Sequence, residues 1–140
     1  MLTGLSLWLQ VLSGPASKFL SMTSTTSVVM NSPLDRAFTA VVALYSIPHL
    51  PLEEQPSLFE RIARWLQLGG YLMDTLGKIA WTGTENDWLE PGVTMYWSHT
   101  NEDTYIKWLI EDGLRVVWTR FIPEGDGGHP LILAPKPYQA

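Results

Sequence analysis

The chain offers polar chemistry at only a few places. It holds three histidines, His49, His99 and His129, and no cysteine. His99 follows Trp97 and directly precedes an expected helix N-terminus, a place that favours the neutral imidazole. A neutral imidazole beside an aromatic wall can take the proton of a substrate hydroxyl. His99 is therefore the first candidate catalytic base, and His49, just past an apolar strand-like run, is the second. His129 sits beside a glycine-rich turn and reads as structural. The histidines are 50 and 30 residues apart with no carboxylate partner close in sequence, which gives no basis for a metal site. Absence of cysteine removes disulfides, thiolate zinc sites and cysteine nucleophiles together. Trp81, Trp88, Tyr96 and Trp97 share one stretch and suit either the wall of an apolar substrate pocket or a satellite core pinning a loop. Asp74 lies within an apolar run, where it faces a substrate mouth or requires buried partners. Glu124-Gly125-Asp126-Gly127-Gly128 is a turn rather than a phosphate cradle, since no helix follows it and Pro130 removes a donor.

The elements that must position these residues sit in a chain of 140 residues, one domain by length. Apolar residues make up 46% and charged residues 16%, so a core can form. Nine basic against fourteen acidic side chains give a net charge of −5, which argues against nucleic acid as a partner. No apolar run approaches the roughly 18 residues of a membrane span, and a cytoplasmic location is expected. Residues 1–34 carry one charged side chain, Lys18. Leu5–Leu12 followed by Ser13-Gly14-Pro15-Ala16-Ser17 matches part of a signal peptide but lacks the positive n-region. A short helix or strand with a connector fits this block better.

Regular signals begin near Ala37. Ala40–Tyr45 is an unbroken apolar run, the pattern of a strand buried on both faces of a parallel sheet. A helix is expected over 53–66, with Leu58, Phe59, Ile62, Trp65 and Leu66 on one face. Gly69-Gly70 then stops it, and a strand over 70–76 completes a βαβ unit. Residues 77–100 read as a long irregular loop of the kind used for lids. A helix over 101–112 opens at a capping box formed by Thr100 and Asp103. Strands over 114–122 and 130–134, joined by the glycine-rich turn, form an antiparallel hairpin.

Several of these segments resemble one family. Phe38-Thr39-Ala40-Val41-Val42-Ala43-Leu44-Tyr45-Ser46-Ile47-Pro48-His49 resembles the fourth-strand segment of class I S-adenosylmethionine-dependent methyltransferases, and Leu58 to Leu72, with Gly69-Gly70, resembles the helix and turn that follow. Tyr96-Trp97-Ser98-His99, the next helix with Glu111-Asp112-Gly113-Leu114, and the terminal hairpin match the small-molecule branch in order and spacing. The resemblance spans residues 37–140. It implies an α/β fold, the C-terminal half of a doubly wound Rossmann-like sheet ending in an antiparallel hairpin. Residues 1–36 form a divergent N-terminal segment. It also implies S-adenosylmethionine as cofactor, with Tyr45, Ser46 and Ile47 flanking it, and His99 or His49 orienting a nucleophile. Trp81, Trp88, Tyr96, Trp97 and Asp74 would then border a small apolar or aromatic substrate.

The departures are equally specific. The family's first strand ends in a glycine-rich turn, but here Gly4 and Gly14 stand alone and no G-x-G precedes Gly69. Asp35 is the only carboxylate before Glu53, so no acid is placed for the ribose hydroxyls. Thr39 replaces the family's strand-four aspartate, and Gln67-Leu68 replaces Lys-Pro before the paired glycines. Two readings follow: a methyltransferase-like enzyme acting on a small molecule, or a non-catalytic or cofactor-independent relative serving as binding module, partner subunit or repurposed cyclase. Without neighbouring strands, the edge of the strand at 40–45 would be exposed. Self-association, a partner chain, or residues 1–30 folding back is expected to cover it.

Overall fold

The computed structural model describes residues 38–87 and 91–138, together with the backbone of residues 7–13 and 16–22. In chain order the elements are β1 (Leu7–Ser13), β2 (Ala16–Met22), β3 (Phe38–Ala43), α1 (Gln55–Trp65), β4 (Leu66–Thr75), β5 (Trp81–Glu85), β6 (Met95–His99), α2 (Glu102–Glu111), β7 (Trp118–Glu124) and β8 (Gly127–Pro135). Six strands form one sheet in the order β2-β1-β3-β4-β8-β7, and β5 with β6 forms a separate hairpin. The fold is α/β. Among the described strands only β3 and β4 pair in parallel; every other pairing is antiparallel.

The βαβ unit forms for the reasons legible in the sequence. Pro56 lies in the first turn of α1, where its missing N–H costs nothing. A short 3-10 turn, Leu52–Glu54, leads into it. Leu58, Phe59, Ile62, Ala63 and Trp65 are buried on the inner face. They meet Val41 of β3, Leu72 of β4, Ile132 and Ala134 of β8, and Tyr105 and Leu109 of α2 in one core. The ring of Phe59 lies 5.8 Å from that of Tyr105, edge to face. Residues 114–117, expected as strand, run beside β8 through Arg115 N–H to Pro135 O and Val117 N–H to Leu133 O before β7 begins.

Three expectations need correction. The paired glycines do not separate helix from strand: α1 ends at Trp65 and β4 starts at Leu66. Lys136 caps that helix end from far along the chain, its Nζ donating to Ala63 O at 2.7 Å and Leu66 O at 2.9 Å. Gly69, at φ +81°, lies inside the strand, where the register against β3 jumps from Phe38↔Leu66 to Ala40↔Tyr71. Second, the stretch 77–100 holds regular structure at 81–85 and 95–99, where β5 and β6 pair from Trp81↔His99 to Glu85↔Met95. Third, the cap of α2 is Asn101, whose Oδ1 accepts from Thr104 N–H at 2.8 Å.

Beside β3 lies β1, antiparallel, with Gln10↔Val42 and Leu12↔Ala40 in register. The β1–β2 hairpin thus covers the backbone edge of β3.

Gly70 sits where two backbones nearly touch. A Cβ there would stand 2.9 Å from Gln67 O and 3.0 Å from both Phe38 O and Thr39 O. Gly70→Ala must separate β3 from β4 and should cost about 1–3 kcal/mol. The expected readout is a lower urea midpoint at an unchanged m-value.

Candidate functional site

The carboxyl ends of β3 and β4 open on the same side of the sheet. Beyond β3 the chain turns sharply at Tyr45, which takes a left-handed φ of 54°. A non-glycine residue held there costs on the order of 1–2 kcal/mol. The Tyr45 N–H donates to Thr75 Oγ1, at the end of β4, at 2.5 Å. A 3-10 turn, Ile47–His49, follows. One side chain fixes this turn: the buried Gln55, whose Nε2 donates to Ile47 O (3.1 Å), Leu50 O (2.9 Å) and Ser98 O (2.6 Å). Its Oε1 accepts from the Tyr105 hydroxyl at 2.6 Å.

These constraints place β6 against the turn and form a cavity of about 530 Å³, lined by Tyr45, His49, Glu85, Trp97, Glu124, Gly128 and His129. Aromatic rings form its wall. The His49 ring lies 4.2 Å from that of Trp97, and Trp97 stacks on His129 at 5.4 Å and 16°. Tyr45 meets the other side of this column, edge-on to His129 at 5.7 Å. His99 stands behind it, 6.5 Å from both Trp97 and His129 and nearly perpendicular to each.

Hydrogen bonds fix the tautomers. Nδ1 of His49, His99 and His129 lies 2.8, 2.6 and 3.0 Å from the carbonyl oxygens of Tyr96, Ile79 and Leu76. A carbonyl only accepts, so each Nδ1 carries the hydrogen and Nε2 is the basic atom in the neutral ring. Burial pushes the His49 and His99 imidazoles below the ordinary histidine range, with the carbonyl bonds opposing. For His99 the cause is therefore burial rather than the start of α2. The Tyr45 hydroxyl donates to Glu124, and this bond together with burial and the carboxylate charge pushes its pKa up to about 12. Trp97 Nε1 donates to Glu85 Oε2 at 3.1 Å.

Of the expected site residues, His49, Tyr45 and Trp97 meet at the cavity. Ser46 and Ile47 are fully buried beneath it. His99 does not line it, and Trp81 lies outside, 44% exposed, against the His99 ring. Tyr96 contributes its carbonyl to His49. Trp88 lies outside the described residues. Asp74 is fully buried, and neither carboxylate oxygen has a hydrogen-bond partner. Four lining residues were missed: His129, read as structural, Glu124 and Gly128, read as parts of a turn, and Glu85. Glu124 immediately precedes the tight β7–β8 turn, a position that presents side chains at a sheet end. No local signal marks Glu85. Among the described residues no group of histidines and carboxylates is arranged to hold a metal ion. No helix of the described residues is long and apolar enough to cross a membrane.

S-adenosylmethionine, the cofactor implied by the family resemblance, fits these residues poorly. Tyr45 supplies one wall, but β1 runs antiparallel to β3 and so brings its amino end to the mouth. Among the described residues no second strand ends there in a glycine-rich turn with a helix N-terminus behind it.

No protein-family model matches the chain, and no curated protein matches it in sequence. Solved structures do match in fold. An S-adenosylmethionine-dependent methyltransferase from Methanosarcina mazei superposes with a TM-score of 0.64 at 14% identity, over 79% of this chain and 65% of that one. A 1,6-didemethyltoxoflavin-N1-methyltransferase from Burkholderia thailandensis gives 0.57 at 13%, over 78% and 48%. The glycopeptide N-methyltransferase MtfA gives 0.60 at 17%, over 78% and 62%. The chain thus has a Rossmann-like methyltransferase fold and spans about half to two-thirds of the length of these structures.

Two substitutions probe the site. A Cβ on Gly77 would overlap the His99 ring. Gly77→Ala should push that ring off Ile79 O and remove a bond that holds the imidazole up, so His99 should titrate lower still, measured by NMR titration. Burial holds the Asp74 carboxyl protonated well above the ordinary aspartate range. From about pH 4 up to that raised value, the native chain keeps a proton that the unfolded chain has lost, so stability falls as pH rises. Asp74→Asn lacks this dependence, and its melting temperature relative to the native chain should climb as pH rises above about 4.

Proposed function

We propose that this chain is a methyltransferase-like small-molecule-binding domain, corresponding to the C-terminal, substrate-side half of a class I S-adenosylmethionine-dependent methyltransferase. The observation that carries this reading is the aromatic cavity of about 530 Å³ at the carboxyl ends of the parallel pair β3 and β4. Ligands of open α/β sheets bind at such strand ends, and the volume suits a ligand of ordinary metabolite or drug size. Trp97 contributes apolar surface to the lining, which suits a small apolar or aromatic substrate. Nε2 of His129 is the basic atom set to receive a proton from a bound hydroxyl or amine, with the His49 ring beside it in the lining. Ser46, Ile47 and Gln55 act below the surface, holding the turn that carries His49.

The direction of β1 favours a second reading, in which the domain binds a small molecule without transferring a methyl group. The described residues provide no cradle for S-adenosylmethionine, so methyl transfer would require that cradle from elsewhere. Calorimetric titration of the full chain with S-adenosylhomocysteine separates the two readings. No saturable heat is expected at millimolar ligand. Saturable micromolar binding would show that the chain holds the cofactor unaided and would restore the enzyme reading.

A further inference from the structure

The hydrogen-bonding inventory of the cavity is one-sided. Its lining contains two carboxylates, Glu85 and Glu124, and no lysine or arginine. The side-chain donors of the lining are already turned inward on those same carboxylates. The Tyr45 hydroxyl donates to Glu124, and the Trp97 indole N–H donates to Glu85. The Nδ1 hydrogens of His49 and His129 are committed to backbone carbonyls. What the lining presents to a ligand is therefore mainly acceptors: carboxylate oxygens and an imidazole Nε2. One arrangement is sharper still. His129 Nε2 stands 3.9 Å from Glu124 Oε2. With the ring neutral, two acceptors face one another across that gap, and a shared N–H donor would satisfy both. Trp97 and Tyr45 belong to the lining, and aromatic rings of this kind attract cations and repel anions.

Resting on the reading of this cavity as the substrate site, we propose that it selects small aromatic amines in their cationic, N–H-bearing form. The ammonium would sit between Glu124 and His129, within reach of Glu85, and the ring would lie on the Trp97 column. Glu124 is half exposed, so its attraction is screened by salt. The aromatic contact is not, and a residual affinity persists at high ionic strength.

The chain's three histidines all belong to this ring cluster. Their imidazole Cε1–H signals therefore report both on ligand and on whether a variant is folded. The full chain is titrated at low salt with 3-phenylpropylamine, 3-phenylpropan-1-ol and 3-phenylpropionate. The amine is expected to shift the His49 and His129 signals and to bind at least tenfold tighter than the carboxylate. Glu124→Gln should weaken the amine about tenfold, leave the alcohol unchanged and keep three dispersed histidine signals. Glu85→Gln provides the same comparison should the first variant lose that dispersion. Equal or tighter binding of the carboxylate, or indifference of amine affinity to both substitutions, overturns the proposal while leaving the cavity a small-molecule site. No shift with any of the three probes overturns the substrate-site reading as well.

Discussion

The geometry around the cavity depends on a single buried carboxamide. Gln55 opens α1, yet its side chain binds the turn after β3, the end of β6 and the hydroxyl of Tyr105 in α2. Three carbonyl oxygens and one hydroxyl from separate parts of the chain are bound at one point. Leaving such groups unpaired costs on the order of 1–3 kcal/mol each. The latch therefore fixes the relative position of four segments that no local propensity could align. His49 lies in the first of these segments. Trp97 and His99 lie in the second. Ser98 Oγ adds a smaller tie by accepting from Leu52 N–H at 3.1 Å.

Around this latch the domain tolerates several local violations, all at the same end of the sheet. Tyr45 holds a left-handed backbone. Asp74 and Ser46 are buried with side-chain oxygens that have no hydrogen-bond partner. Burial holds His49 and His99 against protonation. The opposite end of the β3–β4 pair shows better economy, since Lys136 satisfies the last carbonyls of α1 and Gly70 lets the strands close. Strain gathered at one end of a sheet marks that end as the place where something other than stability was selected. The cavity lies there.

Legibility in the sequence followed interaction range. The β3–α1–β4 unit and the terminal hairpin were readable because an apolar run, a helical stripe and a glycine turn are local patterns. The β5–β6 hairpin was not. Trp81–Glu85 is exposed or nearly so at every position, so no alternation announces a strand, and Met95–His99 is buried almost throughout. The loss of that hairpin hid the site. His49, His99 and His129 are widely separated in the chain, and only the pairing of β6 and the register of β8 gather them around Trp97. Lys136 capping α1 across some 70 residues is equally invisible to pattern. The carboxyl end of the first parallel strand, by contrast, was found because the position of a mouth follows from strand direction alone.

Strand direction also explains why cavity and cofactor cradle come apart in this chain. In a doubly wound sheet, the neighbour of the strand at this position runs parallel to it, so both release their chains at the same mouth, and a turn leading into a helix there can present backbone N–H groups. An antiparallel neighbour reverses this. With Gln10 opposite Val42 and Leu12 opposite Ala40, β1 enters at the mouth and leaves at the far end, and β2 pairs antiparallel on its other side. The cavity is unaffected, because its walls come from the β3 turn, β5, β6 and the β7–β8 hairpin. A β1–β2 hairpin can therefore satisfy the backbone edge of β3 and leave the substrate side intact. Covering a sheet edge requires only backbone pairing, whereas holding a cofactor requires a strand of the right polarity.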